Sequence, residues 1–275
     1  MRSRVKQMLA AVPPVRAVLE ARYRRWFATP EASGACEGLY PDFKAAHDAI
    51  PAGYHRGYDT PDAALKYADR MSRIAPDDYP ALFWVSRALA GGARAVVDFG
   101  GHVGVAWYAW REALGAPPDT RWTVCDVPAV VAEGERVAKS RGETALFFTS
   151  DLATAHGADL FIAQGSLQYV ETSLGALLDT AGLPRHVIVH ATPMRPGRTA
   201  WTLQNIGPAI CPYALHSRDE LLGFAVARGY HLVAAWENAR SLHVPFHPEV
   251  ADTVYAGFYL RRDASPGGAS PRSAA

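Results

Sequence analysis

The chain has 275 residues and a net charge of +1, which argues against a dedicated nucleic-acid-binding protein. No run of 18 apolar residues occurs, so no membrane-spanning helix is predicted. The three cysteines are far apart and fit neither a disulfide framework nor a zinc motif, so we expect a reducing, cytoplasmic location and no metal site.

Residues 1–27 form a basic, amphipathic start to the chain, with a net charge of +6 against −5 for the remainder. Apolar residues such as Val18, Leu19 and Trp26 are interleaved with the basic ones. Such a segment is either a solvated basic helix packed on its own domain, or an anchor for a partner or a weak contact with a membrane surface. The sequence favours the solvated helix and leaves the other roles, and a homodimer, open.

The next part of the chain is predicted to be irregular over residues 28–60 and then helical. Thr60 and Pro61 predict a helix start, because a hydroxyl cap followed by proline in the first turn is favoured there. A second helix is predicted from Pro80 to Leu89. We therefore expect residues 1–79 to form a helical N-terminal extension.

The stretch from Ala93 to Gly104, ARAVVDFGGHVG, predicts a short buried strand, a carboxylate and a glycine-rich turn that opens into a helix. Ligands of open α/β sheets bind at such strand ends. Asp98 would repel the pyrophosphate of a dinucleotide here, and no Lys or Arg between Val96 and Trp110 offsets its charge. The carboxylate suits a cation instead, and S-adenosylmethionine (SAM) carries an ammonium and a sulfonium.

This stretch resembles the first motif of class I SAM-dependent methyltransferases, acid-x-Gly-x-Gly-x-Gly. Asp98, Gly100 and Gly104 match the motif, whereas His102 stands where the family has its middle glycine. The segments GYDTPDAALKYADR, YALHSRDEL and GFYLRR also resemble a poorly characterised bacterial family of methyltransferase-like proteins, often associated with surface polysaccharide or secondary metabolism.

The next two predicted strands also end in carboxylates. The strand from Arg121 to Pro128 contains Asp126, at the distance from the glycine turn where an acid accepts hydrogen bonds from ribose hydroxyls. The strand from Thr144 to Leu152 ends in Asp151, which the resemblance places at the adenine amine. A plain helix N-cap explains Asp151 equally well.

The fourth and fifth predicted strands, Ala158 to Val170 and His186 to Met194, approach the region of the reacting methyl in the family. Gln168 stands where many small-molecule O-methyltransferases have a histidine base, and an amide cannot take a proton usefully. His190 ends the fifth strand and is either a structural histidine or a base. Residues 195–216 are predicted to form a long binding loop.

The resemblance implies an α/β fold with a seven-stranded, mostly parallel sheet in the order 3-2-1-4-5-7-6. The last two strands are predicted at His231 to Asn238 and Asp252 to Leu260. The implied SAM domain covers residues 80–262, and residues 263–275 are expected to be a disordered tail.

The residues assigned to each role follow from the motifs and the resemblance. For cofactor binding they are Asp98, Gly100, Gly101, His102, Gly104, Asp126, Val127, Ser150, Asp151, Leu152, Gln164, Gly165 and Ser166. For the substrate they are Tyr54, Tyr58, Gln168, Tyr169, Trp201, Gln204 and Tyr213, with Tyr67 as a further candidate. For Tyr54, Tyr58 and Tyr67 the sequence favours ordinary core or interface aromatics over a role in the substrate pocket. The candidate bases are His190 and His216.

Three functions remain open from the sequence. The first is a metal-independent SAM-dependent methyltransferase acting on a hydroxyl or amine of a small molecule or glycan. The second is a non-catalytic SAM- or nucleotide-binding partner protein, because His102 and Gln168 both depart from active patterns. The third, a nicotinamide oxidoreductase, is disfavoured by Asp98.

Overall fold

The computed structural model describes residues 13–66 and 68–263, with side chains from residue 15 onward except that of Ala68. Three predictions fall wholly or partly outside the described residues: the first twelve residues of the basic segment, Tyr67, and residues 264–275 of the predicted tail.

The described residues form eleven strands and eight α-helices, joined by several short 3-10 turns. The strands are β1 (Cys36–Tyr40), β2 (His55–Arg56), β3 (Ala95–Phe99), β4 (Arg121–Cys125), β5 (Leu146–Thr149), β6 (Leu160–Gln164), β7 (His186–Arg195), β8 (Ala200–Asn205), β9 (Ala209–Ser217), β10 (Tyr230–Ser241) and β11 (Val254–Arg262). The helices are α1 (Pro13–Phe27), α2 (Phe43–Asp48), α3 (Pro61–Ala64), α4 (Tyr79–Ala90), α5 (Val105–Leu114), α6 (Pro128–Arg141), α7 (Leu174–Thr180) and α8 (Arg218–Val226).

Seven strands form the main sheet, in the order β5-β4-β3-β6-β7-β11-β10. The first five are parallel, and β11 is antiparallel to both of its neighbours. Numbered along the chain from β3, and leaving out β8 and β9, these strands lie in the order 3-2-1-4-5-7-6. The mixed α/β fold with a mostly parallel sheet is the fold class expected from the sequence.

Both faces of this sheet are covered by helices. On β3, Val96 packs into a core with α4 and α5, while Val97 packs into a second core with α7 and α8. Neighbouring strands alternate in the same way, since Ile162 belongs to the first core and Phe161 to the second. The continuous apolar runs of these strands follow from burial on both faces.

A second group of strands corrects the prediction that residues 195–216 form a loop. Strands β8 and β9 make an antiparallel hairpin, and β1 pairs with β8, so residues 28–60 are not irregular throughout either. The hairpin turns at Gly207, whose φ is +93°. Two β-rich segments separated by a glycine-containing turn were the signal for this hairpin.

The N-terminal region is less helical than predicted. Thr60 does cap a helix, and its Oγ1 accepts a hydrogen bond from Ala63 N at 3.1 Å. That helix, α3, ends after one turn at Ala64, and strands β1 and β2 precede it. Pairing of β1 with the hairpin outweighs local propensity. The domain boundary at residues 79 and 80 stays a prediction.

None of the helices in the described part of the chain combines the length and apolar character needed to cross a bilayer.

Two glycines in helices offer a paired stability test. A Cβ at Gly134 in α6 would lie 2.2 Å from Cε1 of Phe148, whereas one at Gly223 in α8 would meet nothing within 4 Å. We expect Gly134→Ala to lower the free energy of unfolding by about 1–3 kcal/mol through overpacking. Gly223→Ala, the control, should raise it by about 0.5–1 kcal/mol because alanine favours helix. Chemical denaturation measures both, and equal effects would contradict this packing.

Candidate functional site

The glycine turn after β3 lies at the carboxyl edge of the parallel strands. Its backbone is left-handed at Gly100 (φ +69°), His102 (φ +56°) and Gly104 (φ +87°). His102 thus adopts the conformation that glycine provides without strain. The backbone therefore forms the turn that the motif predicts, although a histidine occupies the middle left-handed position.

The close packing of this turn explains its two adjacent glycines. A Cβ at Gly100 would lie 2.3 Å from Cβ of Ser166, and a Cβ at Gly101 would lie 2.4 Å from Cγ of Asp98. Ser166 Oγ also donates a hydrogen bond to the Phe99 carbonyl at 2.6 Å. The turn after β6 is therefore held against the turn after β3.

Asp98 lies under the turn, with 0% of its surface exposed. Its Oδ2 accepts a hydrogen bond from Trp122 Nε1 at 3.2 Å, while Oδ1 is buried without a partner among the described residues. Burial raises the pKa of Asp98 to about 7, with a smaller opposing effect of Trp122. A cation nearby would favour the charged carboxylate.

Asp126, at the end of β4, holds the turn from the neighbouring strand. Its Oδ2 accepts from His102 N at 2.9 Å and its Oδ1 from Val127 N at 2.8 Å. A carboxylate can accept about four hydrogen bonds, so acceptor capacity remains for ribose hydroxyls. Burial raises the pKa of Asp126 to about 6, against the lowering effect of the two amides.

At the end of β5, the structure places the predicted adenine-binding residues around a short 3-10 turn. Asp151 Oδ1 accepts from Ala153 N at 2.9 Å, as an N-cap. Ser150 is exposed and Leu152 is buried. The N-cap interpretation is confirmed, and the adenine role stays a prediction.

The segment before α4 crosses the carboxyl edge of the sheet. Asp59 Oδ1 accepts from Ala129 N at the start of α6 at 2.9 Å. Nε2 of the His102 ring lies 2.9 Å from the Ala63 carbonyl, so this nitrogen carries the proton. Sequence reasoning missed Asp59, because nothing in its neighbourhood links it to a helix some 70 residues later.

Asp78 ties the same segment to the ends of β6 and β7. Its Oδ1 lies 3.1 Å from Gln164 Nε2 and 3.2 Å from His190 Nε2. Asp78 occupies the N-cap position of α4 but makes no side-chain cap bond. The sequence shows only an acid before a helix, which is why its contact with the strand ends was missed.

His190 is fully buried, and both of its ring nitrogens are engaged. Trp236 Nε1 donates to Nδ1 at 3.0 Å, so the ring proton sits on Nε2 and is donated to Asp78. With Nδ1 accepting from Trp236 and Nε2 donating to Asp78, the ring offers no free lone pair to a substrate proton. The arrangement therefore suits His190 to orienting Asp78, and differs from the base predicted from the sequence.

His216 lies beside the turn after β6 with one nitrogen unsatisfied. A hydrogen bond joins its ring to the Leu167 backbone, and Nε2 is buried without a partner among the described residues. Burial lowers the pKa of His216 to about 4, so the ring is neutral at pH 7. Its free lone pair keeps it a candidate hydrogen-bond acceptor or base.

Four of the predicted substrate residues lie together. The Tyr169 ring packs edge-on against Tyr58 at 4.8 Å and against Tyr213 at 5.1 Å between ring centroids, and the Tyr169 hydroxyl donates to Gln204 Oε1. The Tyr213 hydroxyl lies 2.7 Å from that of Tyr255. These contacts make one aromatic cluster next to Gln168, in which Tyr213 is fully buried and Tyr58 and Tyr169 are half-buried.

Tyr54 and Trp201 are not part of this aromatic cluster. Both pack in a separate core with Phe27 and Phe43, between the helices α1 and α2 and the hairpin of β8 and β9. Trp201 meets Phe43 edge-on, with ring centroids 5.3 Å apart. The core alternative thus accounts for Tyr54, and Trp201, predicted only as a substrate residue of a loop, is a core residue as well.

Three buried acceptor oxygens at the strand ends have no partner among the described residues: Asp98 Oδ1, Gln164 Oε1 and Gln168 Oε1. Asp98 lies on β3, Gln164 is the last residue of β6, and Gln168 lies just beyond that strand. Strands β3 and β6 are neighbours, with Asp98 opposite Ile162. Gln164 is oriented by Asp78, which takes its amide hydrogen. A donor-rich group without acceptors, such as an ammonium, would satisfy such oxygens.

No group of three or more His, Cys, Asp or Glu residues arranged to hold a metal ion occurs in the described ranges.

Comparison with solved structures gives methyltransferases, while no protein-family model and no curated protein matches the chain. The magnesium protoporphyrin IX methyltransferase ChlM from Synechocystis PCC 6803 with bound SAH is 14% identical, covers 67% of this chain and 81% of its own, and has a TM-score of 0.45. A SAM-dependent methyltransferase from Mesorhizobium loti is 18% identical, covers 68% and 99%, and has a TM-score of 0.45. The mitomycin 7-O-methyltransferase MmcR is 17% identical, covers 67% and 54%, and has a TM-score of 0.39.

Proposed function

We propose that this protein is a SAM-dependent methyltransferase whose acceptor is a hydroxyl or amine of a small molecule or glycan. The observation that carries the proposal is the set of unpartnered acceptor oxygens of Asp98, Gln164 and Gln168 beside the glycine turn. The α-ammonium of SAM offers three donors and no acceptor, which is the chemistry that unpartnered acceptor oxygens at these strand ends require. The pyrophosphate of a dinucleotide has only acceptor oxygens, so it could not donate the hydrogen bonds that these side-chain oxygens lack.

The residues present fit the remaining parts of SAM. Asp126 has acceptor capacity for the ribose, and Ser150 to Leu152 lie beyond it at the end of β5. When bound, SAM supplies an electrophilic methyl group on a sulfonium. The chain orients the acceptor for in-line attack, and excluding water strengthens its electrostatic contacts.

We assign Asp78 as the base that takes the proton from the methyl-accepting hydroxyl or amine. Gln164 and His190 both donate to its Oδ1, which leaves Oδ2 for an acceptor hydroxyl or ammonium. His190, held by Trp236, orients the carboxylate, and the half-buried rings of Tyr58 and Tyr169 support the body of the acceptor. His216 stays the alternative base.

Binding of SAM tests the proposal most directly. Calorimetry should detect SAM and S-adenosylhomocysteine but not NAD, and EDTA should leave the affinity unchanged. NAD binding without SAM binding would overturn the proposal. The second candidate, a non-catalytic SAM-binding partner protein, is favoured by His102 at the motif glycine, and a screen of metabolites with methyl-labelled SAM separates the two.

Substitution of Asp78 tests the assigned proton acceptor. With an acceptor found in that screen, we expect Asp78→Asn to lower kcat by about 10²- to 10⁴-fold, the range for loss of a general base. SAM affinity should stay within a few-fold. Asp77→Asn is the matched control, because Asp77 pairs with Arg240 at 3.5 Å. If turnover is unchanged in Asp78→Asn, or if it is lost in His216→Gln but not in Asp78→Asn, His216 and not Asp78 is the proton acceptor.

A further inference from the structure

Helix α1 carries an exposed face that no other described part of the chain covers. Val18 is 66% exposed, Leu19 37% and Trp26 45%. Arg22 and Arg25 are exposed as well, and neither side chain forms an ion pair or hydrogen bond with another described residue. At 100° per residue these five side chains fall within an arc of about 120°.

The opposite face of α1 fixes the helix to the protein. Tyr23 Oη donates to the Cys36 carbonyl at 2.7 Å, and Phe27 is buried. Arg16 donates to the Phe246 carbonyl at 3.0 Å, and Arg24 pairs with Glu37 at 2.8 Å. The helix is thus held with its aliphatic, tryptophan and unpaired arginine side chains directed outward.

We propose that this face of α1 binds the surface of an anionic lipid membrane. Aliphatic side chains and tryptophan enter the boundary between headgroups and acyl chains, and arginines bind lipid phosphates. The preceding sequence adds Arg2, Arg4 and Lys6 with no acidic residue, so the charge complements an anionic surface.

Other occupants fit less well. A second copy of the chain in a two-fold dimer would bring the arginines of the two faces together, and like charges repel. A nucleic acid would use the arginines but leave Val18 and Leu19 without a role. Of these three occupants, only the membrane uses both kinds of side chain.

Vesicle flotation of the full chain tests this proposal. We expect binding to vesicles of phosphatidylcholine with 30% phosphatidylglycerol, little binding to phosphatidylcholine alone, and a steep decrease with salt. Arg22→Glu/Arg25→Glu should lower the partition coefficient at least tenfold, and Trp26→Ala severalfold. Arg185→Glu/Arg198→Glu, the matched control, changes two exposed arginines elsewhere and should bind as the wild type does.

Three results would overturn the proposal: equal binding to neutral vesicles, no binding to either kind, or equal losses in the two double variants. A dimer that Arg22→Glu/Arg25→Glu dissociates, without vesicle binding, would assign the face to a second copy instead. SAM affinity should be unchanged in all these variants, because α1 lies against β1 and the loop around Phe246 and not at the glycine turn. The inference therefore stands or fails separately from the proposed function.

Discussion

Asp98→Asn is expected to make the protein more stable at pH 8 and to weaken SAM binding at the same time. Asp98 is fully buried, and burial raises its pKa to about 7. In the unfolded chain the carboxyl ionises near its ordinary pKa, so between about pH 4 and pH 7 the unfolded state releases a proton that the folded state keeps. This group therefore costs stability progressively as the pH rises through that window.

Asparagine does not titrate, and its side-chain oxygen still accepts from Trp122. Removing the cost of ionisation stabilises the folded state at pH 8, and the unpaired amide nitrogen of the asparagine offsets part of that gain. We therefore expect a net gain of about 1–3 kcal/mol in the free energy of unfolding at pH 8. At pH 4 most of the gain should disappear, since the wild-type carboxyl is then protonated in the folded state and about half protonated in the unfolded chain. A gain that does not depend on pH would show that ionisation of Asp98 is not its cause.

The cost in binding should be large for SAM and absent for adenosine. A hydrogen bond to a charged partner contributes about 1.5–3 kcal/mol, so SAM should bind roughly ten- to a hundredfold more weakly to Asp98→Asn. Adenosine has the ribose but no methionine and should bind as it does to the wild type. Equal weakening of both ligands in a variant that remains folded would refute the methionine assignment and reopen the dinucleotide interpretation.

Asp126→Ala is expected to weaken SAM and adenosine alike. Asp126 holds the His102 amide at the strained position of the glycine turn and retains acceptor capacity for the ribose. Its loss removes a charge-assisted contact, so both ligands should bind roughly ten- to a hundredfold more weakly. Calorimetry of the two ligands measures this.

Asp126→Asn separates the two roles of the carboxylate. The amide oxygen can still accept from His102 N, so the turn should be retained, as the unchanged thermal stability of this variant would indicate. Loss of SAM with retained adenosine in Asp126→Ala would contradict the ribose assignment.

The sequence predicts the main sheet well because its signals are local. Val96 and Val97 followed by Asp98 and glycines specify a buried strand and a turn within a dozen residues. The prediction failed at β1, whose residues Cys36–Tyr40 form a strand only because Ala200–Asn205 lie beside them. No window of the sequence contains that partner.

The candidate site divides in the same way. The glycine turn and Asp126 follow from motifs, whereas Asp78 was missed because its chemistry arises from contacts with Gln164 and His190 on distant strands. The two alternatives for His190 stayed open for a related reason, because the hydrogen bond to its Nδ1 comes from Trp236, 46 residues further along the chain.

The pairing of β1 with β8 has a consequence for the order in which the molecule assembles. Thr202 donates to the Glu37 carbonyl across a sequence separation of 165 residues, so β1 waits for the hairpin before it can join the sheet. Closing so long a loop carries an entropic cost that local pairings do not. During synthesis on the ribosome the N-terminal residues therefore remain undocked until β8 has emerged. Because the segment from Asp59 to Asp78 follows β1 and crosses the glycine turn, we expect the sheet edge at this turn to stay exposed until β1 has docked. We expect pulsed hydrogen exchange to protect β3 and β6 before β1.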